Sequence, residues 1–397
     1  MDNKDIIYLD HAATVPMRPE AITAMSAALA DVWGNASAIY SAGSRAKRQL
    51  ERARASLAAT IGADPSEIYF TSGGTEGDNW ALTAAMELYS GRHLIITAIE
   101  HHAVLHTAEY LKTRGFDVTM LTPDSTGYIS PEAVAEAIRP DTALISVMMA
   151  NNEVGTIEPV AEIGRIARDR HILFHTDAVQ AYGKIPVDVR AAGVDLLSVS
   201  AHKIGGPKGI GFLYIKKNMP FGAYMHGGMQ EKGRRAGTEN VPSAVGFAAA
   251  AEAVFAERES SQERELGLQK FFLRRLREEI PDVELNGPEP EGNTGAEDRY
   301  GAGSRRRLAN NLNVRFPGVN SETLLILLDM QGICASGGSA CTTGAINPSH
   351  VLTAMGKTQE EARESVRFTL GPENTEEELE RTVQAVKEIT GRLKKLN

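Results

Sequence analysis

The amino-acid sequence predicts an α/β protein, with a large domain built on a mainly parallel sheet and a smaller α+β domain. Strand-like and helical segments alternate between residues 67 and 199, as they do in sheets covered by helices. An apolar run at 195–199 ends in Ser-Ala-His-Lys, and a Gly/Pro-rich turn follows it. After Asn240 a long, charged helical stretch continues to about residue 280. We read that stretch as the bridge to the second domain.

The elements of the large domain follow from local patterns. Strands are predicted for the β-rich apolar runs at 6–9, 68–71, 94–98, 118–121, 143–149, 172–175, 195–199 and 212–215. Helical spacing predicts helices at about 19–30, 44–61, 76–89, 104–114, 131–138 and 160–168. In parallel sheets of this kind, ligands bind beyond the carboxyl ends of the strands.

The predicted domain limits are 16–255 for the large domain, and 1–15 with 256–397 for the small one. Strand candidates in the small domain lie at 283–285, 311–316 and around Ile333, and a capping box beginning at Thr375 opens the last helix. Residues 287–308 are rich in Gly, Pro and charge, which predicts a mobile surface insertion. We interpret its Arg305-Arg306-Arg307 triplet as a solvated face.

Composition limits the class of protein. The chain has 397 residues, of which 42% are hydrophobic and 23% charged, as in soluble globular proteins. No stretch approaches the ~18 apolar residues of a membrane span, and the N-terminus lacks signal-peptide features. Two cysteines exclude a disulfide framework, and a net charge of -9 argues against nucleic acid as the main partner. We expect a cytoplasmic enzyme or binding protein without a membrane partner.

Lys203 is the candidate for covalent chemistry. It follows a core strand, where partial desolvation favours the neutral, nucleophilic amine that Schiff-base chemistry with a carbonyl cofactor requires. Ser200 and His202 flank it with donors for a phosphate. The alternatives are an ordinary surface lysine at a strand end, or Lys208 as the reactive amine. Lys208 lies inside the turn, where solvent would keep it protonated.

A second phosphate-binding signal is Thr-Ser-Gly-Gly-Thr-Glu at residues 71–76, between a strand and a helix. Glycines let the backbone approach an anion, and the N–H groups of the helix start favour negative charge. Such a turn is also common as a purely structural feature. Together with Ser200 and His202, the better interpretation is a shared phosphate site.

His101 and Asp177 also follow predicted strands. An imidazole at His101 could stack on a planar ring and move protons, and Asp177 could pair with a pyridinium nitrogen or cap a helix. A zinc site is the alternative for this region, because His102 and His106 are four residues apart. No third ligand with suitable spacing is visible, so no metal is predicted.

Cys341 lies in a loop of small residues, Ala335 to Gly344, that suits a thiolate which must move to meet a substrate. Cys334 is interpreted as a small core residue.

Several motifs of this chain resemble the cysteine desulfurases, the NifS/IscS-like branch of the class V pyridoxal-phosphate aminotransferase family. They are Ser-x-His-Lys-x-x-Gly-Pro-Lys-Gly, Thr-Ser-Gly-Gly-Thr-Glu, Glu-His-His-Ala-Val, Asn-Asn-Glu-Val-Gly, Asp-Ala-Val-Gln, Arg-x-Gly-Thr-Glu-Asn, Gly-Ser-Ala-Cys-Thr and Val-Arg-Phe-Thr-Leu-Gly. The resemblance spans nearly the whole chain. It implies a fold-type I transferase, similar to aspartate aminotransferase, with pyridoxal 5'-phosphate (PLP) as cofactor.

The resemblance also implies a role for each matching residue. Lys203 would carry PLP as a Schiff base, His101 would stack on the pyridine, and Asp177 would face the ring nitrogen. Cofactor contacts are expected from Gly74, Thr75, Asn152, Gln180, Ser200 and His202, with Thr238 reaching in from a partner subunit. Asn152 and Arg367 would bind the substrate carboxylate. Cys341 would accept the sulfur.

The resemblance implies a homodimeric L-cysteine desulfurase that places sulfur on Cys341 as a persulfide and releases L-alanine. A sulfur-acceptor protein, such as an iron–sulfur scaffold or a thiolation relay, would take the sulfur. The alternatives are a selenocysteine lyase or another class V lyase or transaminase, none of which needs Cys341, and a sulfur-delivery scaffold without catalysis. A nicotinamide-binding protein is excluded, because no Gly-x-Gly-x-x-Gly follows the first strand of an early βαβ unit.

Overall fold

The structure is a computed structural model that describes residues 6–290, 306–337 and 348–395. Its strands are β1 Ile7–Tyr8, β2 Ile68–Thr71, β3 His93–Thr97, β4 Asp117–Leu121, β5 Thr142–Ser146, β6 Thr156–Ile157, β7 Leu173–Asp177, β8 Leu196–Ser200, β9 Gly211–Ile215, β10 Glu284–Asn286, β11 Arg306–Arg307, β12 Asn311–Arg315, β13 Ile333–Cys334 and β14 Ser365–Thr369. Its helices are α1 Pro19–Asp31, α2 Ser41–Ala59, α3 Gly74–Leu88, α4 His102–Thr113, α5 Pro131–Ala137, α6 Val160–Asp169, α7 Val241–Glu279, α8 Ser321–Asp329, α9 His350–Ala354, α10 Gln359–Arg363 and α11 Glu376–Leu393.

A seven-stranded sheet in the order β2-β9-β8-β7-β5-β3-β4 forms the centre of the molecule. Strand β9 is antiparallel to both of its neighbours, and the other described pairings in this sheet are parallel. This confirms the predicted mainly parallel sheet. The carboxyl ends of the parallel strands therefore meet at one edge.

Helices cover both faces of this sheet. Along β3, Leu94 and Ile96 pack into one apolar cluster with Trp80 of α3, while Ile95 packs into the opposite cluster with Leu50 of α2. Successive side chains of a strand point to opposite faces, so a strand buried on both faces is apolar without alternation. For that reason the strands read as continuous apolar runs in the sequence.

Some strand ends differ from the prediction. The apolar run predicted as a strand at 143–149 gives β5, which ends at Ser146. The N–H groups of Val147 and Met149 still donate to the carbonyl oxygens of His175 and Asp177 in β7. Val147, Met148 and Met149 remain buried in the segment beyond the strand. Their burial beside β7 explains why they are apolar.

The long charged stretch forms one helix, α7, of 39 residues. Phe247, near its start, packs in the core of the large sheet, and Phe272, near its end, packs in a second core. The second core surrounds the antiparallel sheet β10-β12-β14 and includes Ile7 and Leu9 from the start of the chain. Helix α7 thus joins two cores, in agreement with the prediction that this stretch leads from one part of the chain to the other.

The domain limits 16–255, and 1–15 with 256–397, stay a prediction. Ile7 and Leu9 pack with the later part of the chain, whereas Val351 and Leu352 pack against the core of the large sheet. None of the helices in the described ranges combines the length and the apolar character needed to cross a membrane.

The interpretation of the arginine triplet as a solvated face is wrong for Arg307. This side chain is buried and donates hydrogen bonds to the carbonyl oxygens of Asn286 and Pro288, the latter at 2.7 Å. Its strand, β11, pairs with β6, so this end of the predicted insertion is part of the fold. Buried carbonyl groups need hydrogen-bond donors, and the long side chain of Arg307 supplies several of them at once. Residues 291–305 of the predicted insertion lie outside the described residues.

Candidate active site

The carboxyl ends of the strands surround a cavity of about 250 Å³. Ten residues that the sequence predicts as site residues line it: Gly74, Thr75, His101, Asn152, Asp177, Gln180, Ser200, His202, Lys203 and Arg367. They follow different strands and are brought together by the parallel sheet.

Of the other two predicted site residues, only Thr238 belongs to the described part of the chain. Thr238 is exposed and does not line the cavity of its own chain. The prediction that it serves a partner subunit is not tested by one chain. Cys341 lies outside the described residues.

The amine of Lys203 is held by two backbone carbonyls. Its Nζ donates to the oxygen of Ala12 at 2.6 Å and to that of Ala13 at 2.7 Å. A short helical turn after β8 carries Lys203, and Gly205 closes the turn with a φ of 74°, which favours glycine. Lys208 is exposed in the turn that follows. Of the two lysines, Lys203 is the one placed in the cavity.

One end of the cavity offers an anion site. Helix α3 begins at Gly74, so the N–H groups of its first turn are available there, and Ser200 and His202 line the same cavity. Burial, and then the charge of Lys203, lower the pKa of His202 to about 4, which leaves its ring neutral near pH 7. These residues are suited to hold a phosphate.

Asp177 is buried at the end of β7, and its Oδ1 accepts a hydrogen bond from the N–H of Val179 at 2.8 Å. Burial raises the pKa of this carboxyl to about 6, against the opposing effects of that bond and of Lys203. A carboxyl with such affinity for a proton is suited to hold the protonated nitrogen of a pyridine.

A second buried carboxyl, Asp78 of α3, lines the same cavity and was not predicted. Its Oδ1 lacks a hydrogen-bond partner, and burial together with the charge of Asp177 raises its pKa well above the ordinary value. The nearest imidazole is that of His175, whose Nε2 is 3.5 Å from Asp78 Oδ1. Two neighbouring buried carboxyls do not both ionise readily. Because the pKa of Asp78 is raised well above the ordinary value, Asp78 is the carboxyl that keeps its proton.

His101 precedes helix α4 and caps it, with Nδ1 accepting the N–H of Ala103 at 3.1 Å. Burial, followed by the charge of Lys203, lowers its pKa to about 4. The ring is therefore neutral near pH 7. Because Nδ1 accepts a bond, the hydrogen of the neutral ring is on Nε2.

The neighbouring histidines bear on the zinc alternative. The ring of His102 lies 5.0 Å from that of His106 and 4.7 Å from that of His350, centroid to centroid. His350 lines the cavity and was missed by sequence reasoning. Within the described part of the chain, no group of three or more His, Cys, Asp or Glu residues is arranged to hold a metal ion.

Arg367 of β14 is buried and forms the opposite wall. Its Nη1 donates to the carbonyl oxygen of Asn152 at 2.9 Å, and its Nη2 to Asp10 Oδ1 at 2.8 Å. A guanidinium fixed in this way is suited to bind the planar carboxylate of an amino acid. Amine, anion site, proton-binding carboxyl and guanidinium together fit PLP and an amino-acid substrate.

Comparisons with known proteins agree with this chemistry. The model of the aminotransferase class-V family matches residues 7–382. The chain belongs to this family. It is 46% identical to the cysteine desulfurase IscS of Methanosarcina thermophila over 393 residues, which is 98% of this chain and 93% of that protein.

Solved structures give the same assignment. A NifS-like protein superposes with a TM-score of 0.88 at 36% identity, over 98% of this chain and all of that one. A structure titled SspA in complex with cysteine superposes with a TM-score of 0.78 at 36% identity, over 93% of this chain and 99% of that one. The class-V fold and its cofactor, PLP, are thereby confirmed for this chain.

Ala12 and Ala13 are the site residues that sequence reasoning missed most clearly. They occupy a polar loop after β1, about 190 residues from Lys203 in the chain. Each of them contributes its backbone carbonyl oxygen. Because every residue has such an oxygen, the residue type could not indicate this role in the sequence. The long-range pairing of β1 with β13 brings the loop into place.

A buried acid beside this class-V site makes stability depend on pH. Glu100 Oε1 accepts bonds from Thr97 and from the N–H of Met148, whereas Oε2 has no partner. Burial raises the pKa of Glu100 to about 8, against the effect of these two bonds. The folded state therefore keeps a proton that the unfolded chain loses above about pH 4.5. Its stability falls as pH rises between these values.

We expect Glu100→Gln to remove this dependence, because an amide does not ionise. In urea unfolding of the cofactor-free protein, the variant should gain stability relative to wild type between about pH 5 and about pH 8, by up to about 1.4 kcal/mol per pH unit. Glu380→Gln is the control. Bonds from Arg275 hold the pKa of Glu380 at about 2, so its carboxylate is ionised both at about pH 5 and at about pH 8. If the stability of Glu100→Gln differed from that of wild type by the same amount at both pH values, Glu100 would be shown to ionise normally.

Proposed function

We propose that this chain is a PLP-dependent L-cysteine desulfurase, which moves the sulfur of L-cysteine to Cys341 and releases L-alanine. The observation that carries the proposal is the convergence of the Lys203 amine, the Asp177 carboxyl and the Arg367 guanidinium in one cavity. Similarity to a cysteine desulfurase over nearly the whole chain supports cysteine as the substrate. The structure titled SspA in complex with cysteine supports it as well.

The lining of the cavity and the resemblance to the family support the following assignment of the residues that would hold PLP. Lys203 supplies the amine for its carbonyl carbon, Asp177 the partner for its ring nitrogen, and Gln180 a donor for its phenolic oxygen. The phosphate would be held by Gly74, Thr75, Ser200 and His202 at the start of α3. When bound, PLP supplies an electron-poor ring that stabilises negative charge at the α-carbon of the substrate.

Substrate binding and proton transfer fall to four residues. Arg367 and Asn152 bind the carboxylate of the substrate. Lys203 takes the α-proton, which its amine can do because the cavity limits its solvation. His101, neutral near pH 7, packs against the planar reacting groups and carries its hydrogen on Nε2, where it can be donated.

Sulfur transfer is assigned to Cys341 from the sequence, because this residue lies outside the described residues. Its thiolate attacks the sulfur of the substrate and forms an S–S bond. The Cβ–S bond of the substrate breaks, its electron pair stays with Cβ, and a proton there completes the methyl group of alanine. The outer sulfur of the persulfide then passes to an acceptor protein, such as an iron–sulfur scaffold or a thiolation relay.

We also propose a cytoplasmic homodimer in which Thr238 of each subunit completes the phosphate site of the other. Exposed apolar side chains support a second copy: Trp33 is 78% exposed, Ile39 98% and Met229 81%. Met229 belongs to the same surface loop as Thr238, which is also exposed. Trp and Met side chains are enriched in protein interfaces. The scarcity of cysteine supports the cytoplasm.

Cys341→Ser separates cofactor chemistry from sulfur transfer. The variant should still bind L-cysteine and change the absorbance of the cofactor, because it differs by one atom. Alanine formation should fall by about two orders of magnitude or more, since a hydroxyl is a far weaker nucleophile towards sulfur than a thiolate.

Cys334→Ser is the matched control for this experiment. Cys334 is half-buried in β13, and its thiol pKa is raised by burial, so it is poorly suited to attack a substrate. Alanine formation should stay close to that of wild type. Alanine release by Cys341→Ser at the wild-type rate would mean that sulfur leaves by elimination, and a lyase would replace the desulfurase.

Sedimentation velocity tests the dimer. We expect a two-subunit species, with Thr238→Ala weakening PLP retention while the two-subunit species persists. A protein that sediments as a monomer and keeps full activity would contradict a shared site.

A further inference from the structure

His11 is a buried residue to which no role has been assigned, and it lies next to the loop that holds Lys203. Its ring is 2% exposed. Nδ1 lies 2.9 Å from the carbonyl oxygen of Thr369, and Nε2 lies 2.6 Å from Glu373 Oε1. The imidazole is therefore fixed from both sides, by the last residue of β14 and by the chain that follows it.

Both partners of the ring are acceptors. A carbonyl oxygen only accepts hydrogen bonds, and so does an ionised carboxylate. Burial of Glu373 opposes ionisation, but the hydrogen bond and charge of His11 lower the pKa of Glu373 below its ordinary value. Each ring nitrogen of His11 thus faces an oxygen that can accept a hydrogen bond, which fixes the orientation of the ring.

The next two residues of the loop are the ones that receive Lys203. Ala12 and Ala13 accept its two hydrogen bonds, and the oxygen of Ala12 also accepts from Gln180 Nε2 at 3.0 Å. The loop has a further link to β14 through the N–H of Ala12 and Thr369 Oγ1, at 2.8 Å. His11 thus lies one peptide away from the oxygens that place the amine.

The surroundings of the ring leave little room for it to move. A Cβ on Gly371 would collide with His11 Nε2 and with Glu373, so glycine is required for this close approach. Tyr8 contacts the ring edge to face, at 4.9 Å between centroids. The other charged groups that act on this pair are Glu265 of α7 and Lys184.

We propose that His11, held between Thr369 and Glu373, is a positioning residue that sets where the Lys203 amine is presented to PLP. The proposal rests on the proposed function in one respect, that Lys203 is the lysine that binds PLP. Freeing the ring lets the carbonyls of Ala12 and Ala13 relax, and the amine then meets the cofactor in the right orientation less often.

The test is the rate at which cofactor-free protein captures PLP, followed by the absorbance of the lysine adduct without L-cysteine. Glu373→Ala removes one partner of the ring and should slow capture on the order of tenfold. The side chain of Glu373 is 57% exposed, so this variant should fold. Gly371→Ala, which pushes the ring away from Glu373, should slow capture as well.

Glu373→Gln is the rescue variant. Its amide can still bond to Nε2 while Nδ1 bonds to Thr369, so the position of the loop and the capture rate should return. Glu380→Ala is the matched control. Glu380 lies on α11, away from the loop, and its carboxylate is also held by hydrogen bonds, in this case from Arg275 of α7. Its capture rate should equal that of wild type.

Nitrogen-15 NMR of histidine-labelled protein gives a readout that does not depend on turnover. The ring signals of His11 should shift in Glu373→Ala, which loses the partner of Nε2. Capture by Glu373→Ala at the wild-type rate would overturn the positioning role, whatever the enzyme does with L-cysteine. Ring signals of His11 that do not change in Glu373→Ala would overturn the claim that Glu373 holds the ring.

Discussion

The pair of hydrogen bonds from Lys203 to the carbonyls of Ala12 and Ala13 is the interaction on which the site depends. A lysine side chain has four rotatable bonds and would otherwise sample many positions. Here the short turn after β8 fixes its base, and two oxygens from the start of the chain fix its tip. The reactive amine is therefore placed by both cores of the molecule.

Burial decides how the other groups of the site behave. Lys203 places a positive charge beside His101 and His202, and burial and that charge together keep both rings neutral. On the other side, burial raises the pKa of Asp177 and of Asp78. The site thus presents neutral imidazoles to reacting groups and a proton-binding carboxyl to a pyridine nitrogen.

Much of this arrangement could be predicted from the sequence, because it depends on strand ends. Each parallel strand is a visible apolar run, and the polar residue after it must lie at the common edge, which places His101, Asp177 and Lys203 together. The identity of the ligand could not be predicted from spacing alone. Strand ends left a purely structural turn as the alternative for residues 71–76, and a helix cap as the alternative for Asp177. The resemblance to the family favours the ligand-binding roles.

What could not be predicted depends on contacts between distant parts of the chain. Strand β14 alternates Ser, Val, Arg, Phe and Thr, yet every residue in it is buried. Its polar side chains contact other segments of the chain and not water: Arg367 lines the cavity, Ser365 accepts a bond from Asn286, and Thr369 accepts one from the N–H of Ala12. Arg307 looks like a surface residue until β11 pairs with β6. The carbonyls of Ala12 and Ala13 leave no trace in residue type. Such features appear only when the partner segment is known.

The measurement that tests the central claim most directly is the position of the cofactor bond. Protein loaded with PLP is reduced with borohydride, digested, and its peptides are identified by mass spectrometry. The pyridoxyl group should be found on Lys203, the lysine held in the cavity by two carbonyls. A pyridoxyl group on Lys208 or on Lys184, with Lys203 unmodified, would contradict the account.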